Sequence, residues 1–199
     1  MTAQGLALFD TAIGTCGIAW GERGIVAAQL PEDDETEARA RMLTRFPGAS
    51  EAPPPRNVKR AIDDIVTLLD GKKTDLTKIA LDMDGVPDFH RRVYDVARAI
   101  PPGETLSYGE VAAKVNAPGA ARAVGAALGA NPFPIIVPCH RVLGAGGKVG
   151  GFSARGGTTT KMRLLTIEGA KVNQAPSLFT DLPLVPPPRR PRAVPRQRR

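Results

Sequence analysis

The chain has 199 residues, of which 42% are hydrophobic, and this is enough for a buried core in one large domain or two small ones. No run approaches the ~18–20 apolar residues that span a bilayer, and no basic segment with an apolar core opens the chain as in a secretory signal. We therefore expect a cytoplasmic protein with no membrane partner, in which the net charge of +7 favours acidic partners.

The first part of the chain alternates between strand and helix patterns. Short apolar runs predict strands at residues 6–9, 18–20, 25–30 and 79–83, with a hairpin turn at 21–24. Helical spacing of apolar residues predicts helices at 35–46 and 57–69. Residues 1–86 are thus predicted to form a small α/β domain.

The second part, residues 87–172, has mainly helical patterns. Asp88 is predicted to cap a helix that ends near residue 100, and Ser107 with Glu110 has the spacing of a capping box. Two short helices around the turn at 116–119, the second spanning 120–130, predict a helix-turn-helix unit. A glycine-rich segment at 144–151 predicts a hairpin or wing, and a last helix is expected at 158–168.

The basic charge is concentrated at the end of the chain. Residues 175–199 contain six arginines and one acid, Asp181, and carry +5, which leaves only +2 for the rest. The Pro- and Arg-rich composition of residues 173–199 predicts a disordered tail. Two interpretations of this tail stay open: a solvated end, or a basic arm that touches phosphates.

Cysteine and histidine are scarce, and one pair of them is adjacent. The two cysteines, Cys16 and Cys139, are too few for a disulfide framework, and with only two histidines we expect no metal site. Residues 135–137 read as a buried strand that ends at Pro138, directly before Cys139 and His140. A nearby imidazole that accepts the thiol proton would activate Cys139. Alternatively, Cys139 is a small core residue, and these residues alone leave both interpretations open.

The helix predicted at 120–130 has one nearly bare face. Arg122, Gly125, Ala126 and Gly129 share that face, while larger apolar residues lie on the other. Each helical glycine costs about 1 kcal/mol relative to alanine, but a bare face lets a backbone approach DNA closely, and Arg122 would then enter a groove or replace an extruded base. Close packing against another helix is the alternative interpretation.

Residues 89–169 resemble the active domain of the O6-alkylguanine-DNA alkyltransferases, also called methylated-DNA–protein-cysteine methyltransferases. The resemblance is carried, in order, by residues 103–112 (GETLSYGEVA), 121–125 (ARAVG), 131–132 (NP), 138–142 (PCHRV), 164–165 (LL) and 168–169 (EG). It implies a mainly α winged helix-turn-helix domain, and residues 1–86 are similar in style to the ribonuclease H-like α/β domain that precedes it. Residues 138–142 with Asn131 form the most specific part of the match.

The resemblance implies a reaction and a role for each catalytic residue. The alkyl group of O6-methylguanine in double-stranded DNA, and of O4-methylthymine, would pass permanently to Cys139, without a cofactor. His140 would take the thiol proton through a water molecule, Glu168 would orient His140, and Asn131 would tie the recognition helix to the active-site strand. Tyr108 would contact a phosphate and help to protonate the leaving guanine.

The resemblance also implies a DNA-binding face and a base pocket. Arg122 would fill the gap left by the flipped nucleotide, and Gly125, Ala126 and Gly129 would line the DNA surface with it. The base pocket would be lined by Pro138, Val142, Phe152 and Ser153.

Three features depart from the family pattern, all at the pocket rim. Phe152 stands where many relatives have tyrosine, the loop at 153–157 is two residues longer than usual, and Arg155 adds a charge. These features bear on which alkyl groups are accepted. Cys16 is interpreted as a bystander.

Three other classes of protein fit this sequence less well. A non-catalytic sensor that binds alkylguanine would resemble this domain but lack the cysteine, whereas Cys139 is present. A transcription factor would need base-reading side chains where Gly125 and Gly129 stand. A cysteine hydrolase would turn over, whereas this protein is expected to stop after one equivalent. We expect a monomer with no obligate protein partner.

Overall fold

The computed structural model describes residues 2–172, and the basic tail predicted at 173–199 lies outside this range. Its first half contains β1 (Gly5–Thr11), β2 (Gly14–Gly21), β3 (Gly24–Gln29), α1 (Glu35–Arg45), β4 (Ser50–Glu51) and α2 (Arg56–Leu69). Its second half contains α3 (Asp88–Arg98), β5 (Leu106–Ser107), α4 (Tyr108–Lys114), α5 (Ala121–Gly129), β6 (Val142–Leu143) and α6 (Gly157–Ile167). The three N-terminal strands and all the predicted helices are confirmed to within a few residues.

The N-terminal sheet carries a helix on each face. Its order is β3-β2-β1-β4, with β1, β2 and β3 antiparallel and β4 parallel to β1. Because successive side chains of a strand point to opposite faces, Ile18 joins the core on the α2 side, while Ala19 joins Met42 of α1 on the other side. The strand pattern in the sequence thus creates two apolar surfaces, and each helix covers one of them.

The strand predicted at 79–83 is wrong. This segment touches the edge of β3 only through the parallel bridge between Ile25 and Leu81. It leaves the sheet at Asp82, because the Asp82 carboxylate accepts the backbone N–H of Asp84 at 3.0 Å and pairs with Arg23 at 3.2 Å. A local side-chain turn therefore wins over strand pairing.

The second half is a packed group of helices. The capping box that opens α4 is confirmed, since Ser107 Oγ accepts the N–H of Glu110 at 3.2 Å and Glu110 accepts the N–H of Ser107 at 2.6 Å. The Tyr94 hydroxyl donates to the carbonyl of Ala127 at 2.9 Å and so ties α3 to α5. Asp88 is not an N-cap, because α3 begins at Asp88 itself, after Pro87, and has no side-chain cap.

Two predicted β elements around the cysteine are replaced by turns. The strand expected at 135–137 is absent, since Ile135 has φ of 74° and Val137 N–H donates back to the carbonyl of Phe133 at 2.8 Å. The hairpin or wing expected at 144–151 is a loop closed by one hydrogen bond, from Gly144 N–H to the Lys148 carbonyl at 2.7 Å. Glycines with positive φ inside this loop give a short 3-10 turn instead of paired strands.

The two halves share one core, and a backbone hydrogen bond joins them next to the cysteine segment. Buried residues of β2, α2, α3 and α5 belong to the same apolar cluster. The N–H of Ala28 in β3 donates to the carbonyl of Pro132 at 2.9 Å, so the sheet edge fixes the start of the turn that leads to Cys139. Among residues 2–172, no helix is long and apolar enough to cross a membrane.

Gly24→Ala is expected to destabilise the fold by about 1–3 kcal/mol, the usual range for overpacking. Gly24 has φ of 141°, and an added Cβ would lie 2.6 Å from the carbonyl oxygen of Ala80, which is itself hydrogen-bonded to β3. Gly48→Ala is the control, because nothing lies within 4 Å of its Cβ position. Equal urea midpoints for the two variants would contradict the prediction.

Candidate active site

Cys139 lies in a tight turn at the bottom of a pocket. Residues Cys139–Arg141 form one 3-10 turn after Pro138, with the N–H of Arg141 bonded to the Pro138 carbonyl at 2.9 Å. Cys139 and His140 therefore lie in one turn and not on opposite faces of a strand. The thiol side chain is 9% exposed and lines a pocket of about 220 Å³. Because Cys139 is buried, it can meet only a group that enters this pocket.

Behind the cysteine, three buried ionisable side chains form one network. His140 Nε2 lies 3.0 Å from Glu168 Oε1. Arg141 donates two hydrogen bonds to the same carboxylate, from Nε to Oε2 and from Nη2 to Oε1, both at 2.8 Å. It also donates to the Ile100 carbonyl at 2.5 Å. The side chains of His140, Arg141 and Glu168 are 0%, 5% and 3% exposed, so the network is shielded from water.

This network sets the protonation state of His140. Burial raises the pKa of Glu168, but hydrogen bonds from His140 and Arg141 outweigh it and bring that pKa down to about 2. Glu168 is therefore ionised at neutral pH and can only accept, so Nε2 carries the proton of the neutral ring. Burial lowers the pKa of His140, which keeps the ring neutral. Its Nδ1 is thus a lone-pair acceptor, and it has no hydrogen-bond partner within residues 2–172.

The thiol itself is protonated at rest. Burial raises the pKa of Cys139, and the side chain of Asn131 and the charge of Lys161 only partly oppose this effect. Since the thiolate is the nucleophile, the proton must leave during the reaction. A neutral imidazole with a free nitrogen in the neighbouring residue is suited to take it.

Lys161 of α6 is a residue that the sequence argument missed. It is 1% exposed, its Nζ donates to the carbonyl of Val142 at 2.7 Å, and it lies 5.7 Å from the centre of the Tyr108 ring. A lysine in a helix reads as surface charge in the sequence, and only the fold shows that it lines the pocket with Cys139. Arg141 was likewise named only as part of the motif at 138–142, although it directly follows Cys139 and His140 in the sequence.

Asn131 and Tyr108 occupy the two sides of the pocket. Asn131 accepts the N–H of Phe133 and donates to the Val137 carbonyl, both at 2.9 Å, so it holds the end of α5 against the turn that carries Cys139. Tyr108 opens α4 and is half-buried, with Gly125 and Gly150 next to its ring. Burial raises the pKa of Tyr108, so the phenol keeps its proton.

The outer face of α5 has the bare surface that the sequence predicted. Arg122, Ala126 and Gly129 are exposed and Gly125 is half-exposed, whereas Val124 and its apolar neighbours are buried. Gly125 and Gly129 also line the pocket, so this face leads directly to the opening above Cys139.

The four residues expected to line the base pocket separate into two pairs. Phe152 and Ser153 line it. Pro138 and Val142 are buried, and neither belongs to the pocket lining. Val142 instead contributes its carbonyl to the hydrogen bond with Lys161.

Cys16 is a poor candidate for chemistry. It is fully buried, and burial raises its pKa to about 12. Within residues 2–172, no cluster of three or more histidine, cysteine or acidic side chains is arranged to hold a metal ion.

Comparisons with known proteins identify the family of this chain. Residues 88–170 match the family model described as the DNA-binding domain of 6-O-methylguanine DNA methyltransferase. A methylated-DNA–protein-cysteine methyltransferase of Methanothermobacter thermautotrophicus is 38% identical over 156 residues, which cover 78% of this chain and 80% of the relative. One of Mycobacterium tuberculosis is 45% identical over 127 residues, covering 64% and 74%.

A solved structure gives the same result. The Mycobacterium tuberculosis protein OGT in complex with DNA superposes with a TM-score of 0.67 at 36% identity, covering 82% of this chain and 92% of that one. The fold and the site define a protein with a buried cysteine, next to a buried histidine, in a pocket that a bare helix face helps to line. The chain belongs to the methylated-DNA–protein-cysteine methyltransferase family.

Glu168→Gln is expected to destabilise the fold by about 3 kcal/mol at neutral pH, because it leaves the buried Arg141 cation without its counter-ion. The Glu168 pKa is depressed from 4.5 to about 2. Its contribution to stability is thus complete above about pH 4.5 and is lost as the pH falls towards 2. Urea unfolding across this range should show that loss in the wild type and not in the variant.

Glu35→Gln is the control for this experiment. Glu35 is also paired with an arginine, Arg39 at 2.7 Å, but its side chain is 58% exposed. Exposed pairs contribute little, so this variant should unfold like the wild type. If both variants lost the same stability, the buried network would have no special role.

Proposed function

We propose that this chain repairs DNA by moving the alkyl group of O6-methylguanine onto Cys139, once per molecule. The observation that carries the proposal is the thiol at the bottom of the pocket, next to a neutral histidine whose far nitrogen is held by an ionised carboxylate. Membership of the methylated-DNA–protein-cysteine methyltransferase family supports the reaction. O4-methylthymine is proposed as a second substrate on the family resemblance alone.

The reaction begins with proton transfer. The Cys139 proton passes through a water molecule to Nδ1 of His140, and the imidazolium that forms is stabilised by Glu168. The thiolate then attacks the alkyl carbon in line, so that the S–C bond forms while the C–O6 bond breaks. The electron pair of that bond stays on guanine, which must gain a proton. Tyr108 is the proposed donor, since its phenol lines the pocket and remains protonated.

The product explains why one molecule acts once. The thioether on Cys139 is stable, and reversing it would need a nucleophile able to attack the alkyl carbon. The described residues that line the pocket include one amine, that of Lys161. Its Nζ donates a hydrogen bond to the Val142 carbonyl and is thus already engaged. Transfer therefore leaves the protein permanently alkylated.

The proposed DNA surface is the outer face of α5. We assign α4 and α5 to a winged helix-turn-helix unit, in which the loop at 144–151 takes the place of the wing and α5 approaches the duplex through Gly125, Ala126 and Gly129. The target atom is hidden in the stack, so the nucleotide must flip into the pocket. Arg122 is exposed at the start of this face, and we assign it to the gap that the flipped nucleotide leaves. The DNA complex of the tuberculosis relative supports DNA as the partner.

We further propose two structural units, residues 2–86 and 87–172, with the first being ribonuclease H-like. The mixed sheet of residues 5–51, flanked by α1 and α2, supports this interpretation. Its role at the site is to brace the cysteine turn through the Ala28–Pro132 hydrogen bond.

Incubation with a duplex that contains O6-methylguanine should add one methyl group, about 14 Da, to Cys139, as expected for thioether formation at an activated thiol. Intact mass and peptide mapping measure the change. Cys139→Ser should bind the duplex but gain no mass, and Cys16→Ser should react like the wild type. Methylation of a peptide that contains Cys16 would overturn the assignment.

Arg122→Ala should slow repair of duplex DNA by about tenfold or more, because holding a base out of the stack is worth a few kcal/mol. Reaction with free O6-benzylguanine should be unchanged, since a free base needs no flipping. Arg60→Ala is the charge-matched control, because Arg60 is exposed on α2, away from α5. Equal losses with the duplex and the free base would mean that Arg122 supports the pocket instead.

A further inference from the structure

The pocket has one wall that the chemistry proposed above does not use. Besides the residues around Cys139, it is lined by Leu30 and Glu32 and by two arginines of α1, all from the N-terminal half. The loop that carries Phe152, Ser153 and Arg155 closes the space between this wall and the thiol. The volume beside Cys139 thus depends on how firmly this loop is held against the N-terminal half.

Arg155 joins the loop to that wall by ion pairs with three carboxylates. Its Nη1 donates to Glu37 Oε1 at 2.7 Å, its Nη2 pairs with Asp33, and Glu32 Oε2 lies 3.7 Å from Nη1. The Glu32 side chain is 5% exposed, and this oxygen has no hydrogen-bond partner among the described residues. Glu32 is also paired with Arg41 at 3.0 Å, so the closest partners of Arg155 are Asp33 and Glu37.

The loop is built so that this attachment decides its position. Glycines flank it on both sides, and Gly156 and Gly157 have positive φ of 77° and 51°. Its own internal restraints are short-range, such as the bond from Thr160 Oγ1 to the Arg155 carbonyl at 2.6 Å. Phe152 and Ala154 pack against the core, whereas the polar links from residues 152–155 to residues far away in the sequence come from the Arg155 side chain. A loop with glycines at its ends and one ionic attachment can open further when that attachment is lost.

The charge of Arg155 is directed at acids of its own chain. It pairs with Asp33 and Glu37, and Glu32 beside them is also paired with Arg41 at 3.0 Å. Because Arg155 is already paired in this way, we assign its charge to the pocket and not to the duplex.

We infer that Arg155 is a specificity-determining residue. Its ion pairs with Glu32, Asp33 and Glu37 hold the rim loop closed and so limit the size of the alkyl group that fits beside Cys139. The inference rests on the proposed alkyl transfer. In-line attack places the alkyl carbon next to the sulfur, so the remainder of a bulky group must occupy the space that this loop bounds. A methyl group needs none of that space, whereas a benzyl group does.

The test is the ratio of single-turnover rates for two duplexes of the same sequence, one with O6-benzylguanine and one with O6-methylguanine. Arg155→Gln should raise the benzyl-to-methyl ratio by about fivefold, which corresponds to about 1 kcal/mol, the upper end for an exposed ion pair. Using a ratio cancels any general change in DNA affinity that follows from losing one positive charge.

Arg163→Gln is the matched control. Like Arg155, Arg163 of α6 makes a contact with the N-terminal half. It donates to the carbonyls of Ala12 at 2.6 Å and Ile13 at 3.2 Å, and none of these residues lines the pocket. It should leave the ratio unchanged. The double variant Asp33→Asn with Glu37→Gln should raise the ratio as Arg155→Gln does, and the combination of all three should add nothing further.

A second measurement does not depend on activity. Hydrogen–deuterium exchange of the peptide that covers residues 150–157 should be faster in Arg155→Gln than in the wild type or in Arg163→Gln. The inference would be overturned by an unchanged ratio, by an equal rise in the Arg163 control, or by unchanged exchange. The proposed function would still stand in those cases, provided that the wild type transfers a methyl group. A wild-type protein that transfers no alkyl group at all would overturn both.

Discussion

The site depends on one buried carboxylate. Glu168, at the end of α6, holds the guanidinium of Arg141 through two hydrogen bonds and His140 through a third, and all three side chains are hidden from water. Removing the carboxylate would leave a buried cation without a counter-ion, which is far more costly than losing an exposed pair. The same carboxylate fixes which nitrogen of His140 carries the proton. Stability and chemistry therefore share a single residue, so the site cannot be adjusted without affecting the fold.

This arrangement lets a resting thiol be both unreactive and ready. Burial raises the pKa of Cys139 and lowers that of His140, so both groups are neutral before substrate arrives. Charge appears only when the proton moves, and Glu168 is already in place to stabilise it. A preformed thiolate would react with many small electrophiles. Each such reaction would inactivate a protein that acts only once. The buried position of Cys139 restricts its reaction to groups that fit the pocket.

The sequence was most informative where local chemistry decides the structure. The three N-terminal strands, the helices, the capping box at Ser107 and the bare face of α5 follow from periodicity and capping, and they are confirmed. It failed where a side chain overrides a local preference. Residues 135–137 are apolar and read as a strand, yet Asn131 bonds to Phe133 before this segment and to Val137 at its end, and so favours a turn. Lys161 and Arg141 were missed as site residues because their burial depends on contacts that are distant in sequence.

The hydrogen bond between Ala28 and Pro132 has a consequence for how the chain folds during synthesis. Strand β3 lies at one end of its sheet, and that edge is completed partly by residues that leave the ribosome much later. Until then the N-terminal half presents unpaired backbone groups along an apolar strand, which is a template for pairing with other chains. The segment that leads to Cys139 thus also covers part of the sheet edge, and we expect the nascent chain to be more prone to aggregation until this segment has docked.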